Sequence, residues 1–241
     1  MSPKPITQNT LFYGDNLPVL REYIPTESID LVYLDPPFNS NRSYNVLFKE
    51  ESGKGSEAQI TAFDDSWHWG EAAEKAYHEL MVANPGKVDG TSAASRQVIG
   101  TNQMMAYLVM MAARLVELHR VLKPTGSLYL HCDPTASHYL KLLLDTIFGP
   151  LNFSNEIIWK RADPKGHAFT RYPSTHDVLL FYSKSNAYSW NRTYQVYDEK
   201  YIEDFYRYED EHGRYRVVTL DGPGVRHGSS GQPWREIDPT Q

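Results

Sequence analysis

A carboxylate, two prolines and an aromatic ring follow one another at Asp35-Pro36-Pro37-Phe38. Proline has no backbone N–H, so the Pro36 carbonyl is available as an acceptor beside the Asp35 carboxylate. Two acceptors on a rigid backbone can take the N–H protons of an exocyclic amine, which frees the nitrogen lone pair for a methyl donor. The flat ring of Phe38 suits the stacking of a base rotated out of a duplex. The alternative is an Asp that only caps a rigid turn.

The elements that would position this motif form a predicted β-α-β unit. Residues 10–13 and 29–34 are short, apolar runs rich in strand formers, and each leads into a turn marked by Gly or Pro. Between them, a short helix is predicted that ends at Pro25. Asp35 therefore follows the carboxyl end of a buried strand, which is where open α/β sheets build their sites.

The rest of the chain predicts further alternation of strands and helices. An amphipathic helix is expected over 102–122, a turn at 124–126, a helix over 136–148, and strands at 127–132, 156–160 and 177–182. This order indicates an α/β fold with a doubly wound, mostly parallel sheet. Residues 1–185 are predicted to form the core, with an irregular insertion near 40–100, and residues 186–241 a polar target-recognition or connector segment.

Composition limits the classes of function. With 241 residues and 41% hydrophobic content, the chain can bury a full core, and it has neither a bilayer-length apolar run nor an apolar leader at its start. A cytoplasmic protein without a membrane partner is expected. The single cysteine, Cys132, excludes an intrachain disulfide and the Cys-pair zinc site of base deaminases. A net charge of −6 argues against coating nucleic acid by bulk electrostatics, so any DNA contact must be local.

Four segments in order carry a resemblance to a known family. They are Leu11 to Asn16 (LFYGDN), Asp30 to Ser40 (DLVYLDPPFNS), Leu122 to Asp133 (LKPTGSLYLHCD) and His176 to Lys184 (HDVLLFYSK). At these residues the chain resembles the DNA N4-cytosine/N6-adenine methyltransferases, in the permuted class whose catalytic motif precedes the cofactor motif. The resemblance implies a Rossmann-like methyltransferase sheet and S-adenosylmethionine as the cofactor.

The resemblance also implies roles for individual residues. Asp35, Pro36, Pro37 and Phe38 would be the catalytic tetrad, in which Asp35 and the Pro36 carbonyl hold the target amine and Phe38 stacks the flipped base. Adenine N6 is favoured because Asp opens the tetrad, and cytosine N4 is the alternative. The cofactor would contact Gly14, Asp15 and Asn39. Asp15 could instead be only a helix N-cap, and Asn39 could be only a turn residue.

Basic and aromatic residues interleave between residues 159 and 172. This predicts local contacts to double-stranded DNA through Lys160, Arg161, Lys165 and Arg171, although an ordinary solvated loop explains the same composition.

Three further polar or aromatic features have a structural explanation beside a functional one. His131 and Asp133 invite a metal or acid/base interpretation, but a strand-end His followed by Asp-Pro favours a structural role, and no metal site is predicted. For Trp67-His68-Trp69, packing is favoured over base stacking, and for His176 capping or positioning is favoured over catalysis.

The chain departs from the family pattern at the cofactor motif. No Asp-Pro-Phe-x-Gly-x-Gly loop is present, and the glycines of 221–228 have neither a buried strand before them nor a helix after them. One hypothesis is a truncated or split methyltransferase, completed by a C-terminal half and working with a restriction subunit or as a homodimer. The second is an inactive remnant that binds DNA or a partner. The third is a different nucleotide-binding α/β domain. The first hypothesis predicts exposed apolar faces where the absent elements would dock.

Overall fold

The computed structural model describes residues 6–37, 43–46, 60–64, 67–83, 88–161, 170, 172–218 and 232. Its helices are α1 Asn16–Tyr23, α2 Glu71–Ala83, α3 Val88–Ile99, α4 Gln103–Val121, α5 Pro134–Phe148 and α6 Glu199–Phe205. Its strands are β1 Ile29–Leu34, β2 Ser43–Val46, β3 Ile60–Asp64, β4 Leu122–Cys132, β5 Phe153–Lys160, β6 His176–Ser183, β7 Tyr208–Asp210 and β8 Gly213–Tyr215. None of the helices in the described ranges is long and apolar enough to cross a bilayer.

The main sheet has four strands in the order β1-β4-β6-β5, and β2 pairs with β3 in a separate antiparallel hairpin. The α/β class and the incompleteness of the sheet are confirmed. The expectation of a mostly parallel sheet is wrong in this part of the chain, because β1 and β4 are parallel whereas β6 runs antiparallel to both β4 and β5. The connection from β5 to β6 contains no described helix, and antiparallel neighbours need no helical crossover.

Helices α4 and α5 cover one face of the sheet. Leu128, Leu130 and Cys132 alternate along β4 toward this face and are fully buried in the main core. Helix α4 begins at an Asn102 cap whose side chain accepts from Met105 N–H, and ten of its residues are buried. Each fully buried aliphatic side chain of this layer contributes about 1.5–3 kcal/mol to folding.

The opposite face of the sheet is less covered. Leu31 and Tyr33 on β1 are 56% and 60% exposed, and Trp159 on β5 is 60% exposed. Within this face Phe181 is buried, since the Tyr129 ring stacks on it at 4.5 Å and Trp190 lies beside it. In the described ranges helices therefore cover one face only, so the double winding expected from the sequence is not formed by these residues. This face is exposed and partly apolar in the described ranges, and the truncated or split hypothesis stays a prediction.

The turn expected at residues 124–126 forms a bulge in the parallel pair of β1 and β4. Ile29 pairs with Leu122 and Leu31 pairs with Ser127, so β4 has extra residues between two closely spaced partners. Gly126 lies in this bulge, where an added Cβ would stand 3.1 Å from the Ile29 carbonyl oxygen and 2.8 Å from a Leu122 methyl carbon. A larger residue here would force the neighbouring backbone and the Leu122 side chain to shift, so glycine suits this close approach.

Two local predictions are wrong. Residues 10–13 contain no strand, and Leu11 and Tyr13 are about nine-tenths exposed, because these residues have no partner strand in the described ranges. Part of the segment 40–100 was expected to be irregular but forms α2 and α3, which pack on α4 and α5 through few buried residues. The other expected helices and strands are present, with ends that differ by a few residues.

The chain divides into two compact units after Trp190. In the second unit α6 begins at an Asp198 cap, and the short strands β7 and β8 form a hairpin. Its aromatic rings contact one another, as Tyr201 does with Tyr197 and Phe205. Acidic residues outnumber basic ones in its described part, so its charge alone does not favour binding to phosphates.

Candidate active site

Asp35 lies at the carboxyl edge of the sheet beside a histidine. Because β1 and β4 are parallel and Leu34 pairs with Leu130, the next residues on each strand, Asp35 and His131, are neighbours. His131 Nδ1 lies 3.1 Å from Asp35 Oδ1. The Asp35 side chain is 61% exposed and the His131 side chain only 18%, so the carboxylate faces solvent and the imidazole supports it from within the sheet.

A second carboxylate lies on the other side of the same imidazole. Asp177, near the start of β6, places its Oδ2 3.3 Å from His131 Nε2, and its side chain is only 4% exposed. Arg161 follows, with its Nε 3.3 Å from Asp177 Oδ1. We call Asp35, His131, Asp177 and Arg161 the edge network. A buried carboxylate is costly unless opposite charge lies near it, and the guanidinium of Arg161 supplies that charge.

The remaining members of the predicted tetrad lie beside the edge network or outside the described residues. Pro36 and Pro37 follow Asp35 directly and are partly buried. Phe38 and Asn39 lie outside the described residues. The stacking role of Phe38 and the cofactor role of Asn39 therefore stay predictions.

Asp15 is held by contacts to α1 and α4. Its Oδ1 accepts from Leu17 N–H as the N-cap of α1 and lies 2.6 Å from Arg114 Nη2. Arg114 also donates from Nε to Asn16 Oδ1. Gly14, with a φ of 133°, supplies the turn before this cap. The capping interpretation of Asp15 is confirmed. The Asp15 side chain is nevertheless 57% exposed, so its carboxylate remains accessible to a ligand.

The four predicted DNA-binding residues are only partly described. Lys160 ends β5 and is exposed, and Arg161 donates its backbone N–H to Thr175 O and joins the edge network through its side chain. Lys165 and Arg171 lie outside the described residues. The structure thus ties one of these cations to the candidate site.

Asp133 and the tryptophans have structural roles. Asp133 is the N-cap of α5, where its Oδ1 accepts from Thr135 and Ala136 N–H. Trp67 packs against the main core, and Trp69 donates to Glu74. In the described ranges no group of three or more His, Cys, Asp or Glu side chains is arranged to hold a metal ion.

Cys132 follows His131 and is fully buried on the core side of β4. Burial raises the pKa of its thiol to about 12, and the nearby negative charges of Asp133, Glu156 and Asp177 act in the same direction. A thiol in this state is a packing group and not a nucleophile.

The sequence did not single out Asp177. It stands next to His176 in an otherwise apolar strand, and an acid at the buried start of a strand was a usable signal for a site residue. Its contact with His131 depends on β6 lying antiparallel to β4, which local patterns do not specify.

Comparisons with known proteins agree on one family. A family model described as DNA methylase, covering N6 and N4 methyltransferases, matches residues 29–231. The chain is 27% identical to the type II methyltransferase M.EcaI of Enterobacter cloacae, over 97% of this chain and 42% of that protein. It is 26% identical to the Mod subunit of the type III restriction-modification enzyme StyLTI of Salmonella typhimurium, over 93% of this chain and 31% of that protein.

A third relative extends the pattern. The chain is 23% identical to the Mod subunit of the type III enzyme EcoP15I of Escherichia coli, over 74% of this chain and 24% of that protein. The chain spans less than half the length of each of these three relatives.

Proposed function

We propose that this chain, which belongs to the N6/N4 DNA methylase family, is the catalytic part of an S-adenosylmethionine-dependent DNA amino-methyltransferase. The observation that supports the proposal most directly is the place of Asp35. Its carboxylate follows β1 at the carboxyl edge of the sheet, is exposed, and contacts His131 of the neighbouring strand. A ligand that approaches this edge meets an exposed acceptor at the carboxyl end of β1.

The chemistry of this site follows from its acceptors. The amine of a flipped base donates two N–H hydrogen bonds, one to the Asp35 carboxylate and one to the Pro36 carbonyl. These contacts draw the nitrogen lone pair out of conjugation with the ring, so that it can attack a methyl group. Phe38 stacks on the base. Adenine N6 is the favoured target because an aspartate opens the motif, and cytosine N4 is the alternative.

The described residues fit one part of S-adenosylmethionine only. The exposed Asp15 carboxylate beside Gly14 can accept a hydrogen bond from a ribose hydroxyl. The sequence offers no glycine loop for the methionine portion. When bound, this cofactor supplies an electrophilic methyl group on a sulfonium. We propose that a cofactor-binding half completes the sheet at the open edge of β1, where Leu31 and Tyr33 are exposed.

Double-stranded DNA is the proposed substrate, and a restriction subunit is a proposed partner because two relatives are Mod subunits of type III enzymes. Arg161 and Lys160, at the end of β5, and the polar segment 186–241 are the proposed DNA-contacting parts.

The test is methyl transfer from labelled S-adenosylmethionine to DNA by the full-length protein and its Asp35→Asn variant. The amide keeps the shape of the side chain but removes one acceptor and the charge, so we expect a loss on the order of 100-fold or more. Asp30→Asn is the matched control, because Asp30 lies on the same strand, is exposed and pairs with Lys123 away from the site. Digestion of the DNA separates N6-methyladenine from N4-methylcytosine. Full activity of the Asp35→Asn variant would refute Asp35 as the amine acceptor.

The second hypothesis is an inactive module that binds DNA or a partner. DNA binding without any methyl transfer by the wild-type full-length protein would favour it.

A further inference from the structure

His131 contacts carboxylates on both sides of its ring. Its Nδ1 lies 3.1 Å from Asp35 Oδ1 and its Nε2 lies 3.3 Å from Asp177 Oδ2. The three residues come from β4, the end of β1 and the start of β6, so the imidazole joins three strands at one edge of the sheet. A histidine that only filled space in the core would not need a carboxylate at each nitrogen.

The two carboxylates differ in exposure, and this difference gives the network a direction. Asp177 is almost completely buried and lies within ion-pair distance of His131 through one oxygen and of Arg161 through the other, so burial and these two side chains restrict its movement. Asp35 is 61% exposed and follows the last residue of its strand, so it has the freedom to rotate. Fixed Asp177 therefore orients the imidazole, and the imidazole in turn limits the rotation of Asp35.

We propose that His131 is a positioning residue that holds Asp35 through Oδ1 and leaves Oδ2 directed at the target amine, with Asp177 as the anchor of the imidazole. This inference rests on the proposed function, because it concerns the same carboxylate. His131 does not touch the base. Its loss lowers the fraction of Asp35 in the productive orientation without removing the acceptor.

The kinetic test uses variants at position 131 in the full-length protein. His131→Ala lowers kcat on the order of 100-fold, as expected when a catalytic group is misplaced by about 1 Å, whereas KM for DNA changes less than about threefold. In His131→Asn the amide nitrogen occupies nearly the place of Nδ1, so this variant recovers about tenfold of the lost kcat. His131→Gln reaches toward Asp177 instead and recovers none. His138→Asn, an exposed position on α5, is the control and keeps full activity.

A second test needs no activity and uses the purified chain. Two-dimensional NMR of ¹⁵N-labelled imidazoles detects the ring nitrogens, and the resonances that disappear in His131→Asn are those of His131. Asp35→Asn shifts the Nδ1 resonance more than the Nε2 resonance, and Asp177→Asn does the reverse. If neither substitution moves a His131 resonance, the network does not exist in solution and the inference is overturned.

The outcomes separate this inference from the function on which it rests. Near wild-type kcat in His131→Ala, together with an inactive Asp35→Asn protein, overturns the positioning role and leaves the proposed function intact. Full activity of Asp35→Asn overturns both. Equal loss in His131→Asn, His131→Gln and His131→Ala would show a role in folding only, and this too contradicts the inference.

Discussion

The reactivity of Cys132 measures whether β4, the strand that carries His131, stays packed against the helices. It is the single cysteine of the chain and is fully buried between β4 and the helical layer. Burial raises the pKa of its thiol to about 12, so at pH 8 the thiolate fraction is about 1000-fold lower than in an unfolded chain with a pKa near 9. We expect reaction with an aromatic disulfide reagent to be slower by this factor at least, because the reagent must also reach a buried sulfur.

The same separation of pKa values predicts a loss of stability at alkaline pH. The pKa of the folded thiol lies above that of the unfolded thiol, so its contribution is complete below about pH 9 and disappears as the pH rises toward about 12. Each pH unit of separation is worth about 1.4 kcal/mol, so the full contribution is on the order of 4 kcal/mol. Urea unfolding at pH 8 and pH 11 measures about two of these three units, on the order of 3 kcal/mol, and a Cys132→Ala variant removes the thiol from the comparison.

The assay follows absorbance of the released reagent thiol at pH 8, with and without denaturant. Rapid reaction of the native chain, at the rate seen in denaturant, would refute the burial of Cys132. An equal alkaline loss of stability in wild type and Cys132→Ala would assign that loss to other groups.

Two further predictions concern the elements that position the site. Gly126→Ala introduces a Cβ 3.1 Å from the Ile29 carbonyl oxygen and should destabilise the protein by about 1–3 kcal/mol. The control is Gly90→Ala, where an added Cβ meets no atom within 4 Å and no destabilisation is expected. Urea unfolding measures both. Asp133→Ala removes the cap of α5 and should cost about 1 kcal/mol, which Asp133→Asn should largely restore; equal stability of the alanine variant would contradict the capping role.

The sequence predicted the elements whose own residues carry a clear pattern. Helix α4 has apolar residues at three- and four-residue steps and a cap at Asn102, and strand β1 is a short apolar run before a Pro-Pro turn. Helices α2 and α3 were missed because few of their residues are buried and others, such as Val82 and Val98, face solvent. Periodicity is a weak signal when the buried stripe is this narrow.

Predictions that depend on a partner strand were the weaker ones. Residues 10–13 have the composition of a strand but form none, since a strand exists only with a neighbour to pair with. The antiparallel direction of β6 is seen in its pairing with β4 and β5, and local sequence patterns do not specify such pairing.

The candidate site divides in the same way. Asp35 was predicted from residue type and from its place after a strand, and the structure puts it at the expected edge. The link from His131 to Asp177 was not predicted, because it joins residues from β4 and β6 that meet only in the folded sheet. Sequence spacing indicates which residues follow strands, but the order of strands decides which of them meet.

The position of β6 in the sequence also affects the order in which contacts form during synthesis. Within the edge network, the contacts of His131 with Asp35 and Asp177 join residues that are distant in sequence. Contacts of this kind form late in folding, because the entropy cost of closing a long loop comes before the contacts that stabilise it. During synthesis β1 and β4 can pair while β6 is still within the ribosome, and at that stage His131 has no Asp177 beside it. At that stage a nascent chain therefore carries Asp35 and His131 without the carboxylate that anchors the imidazole.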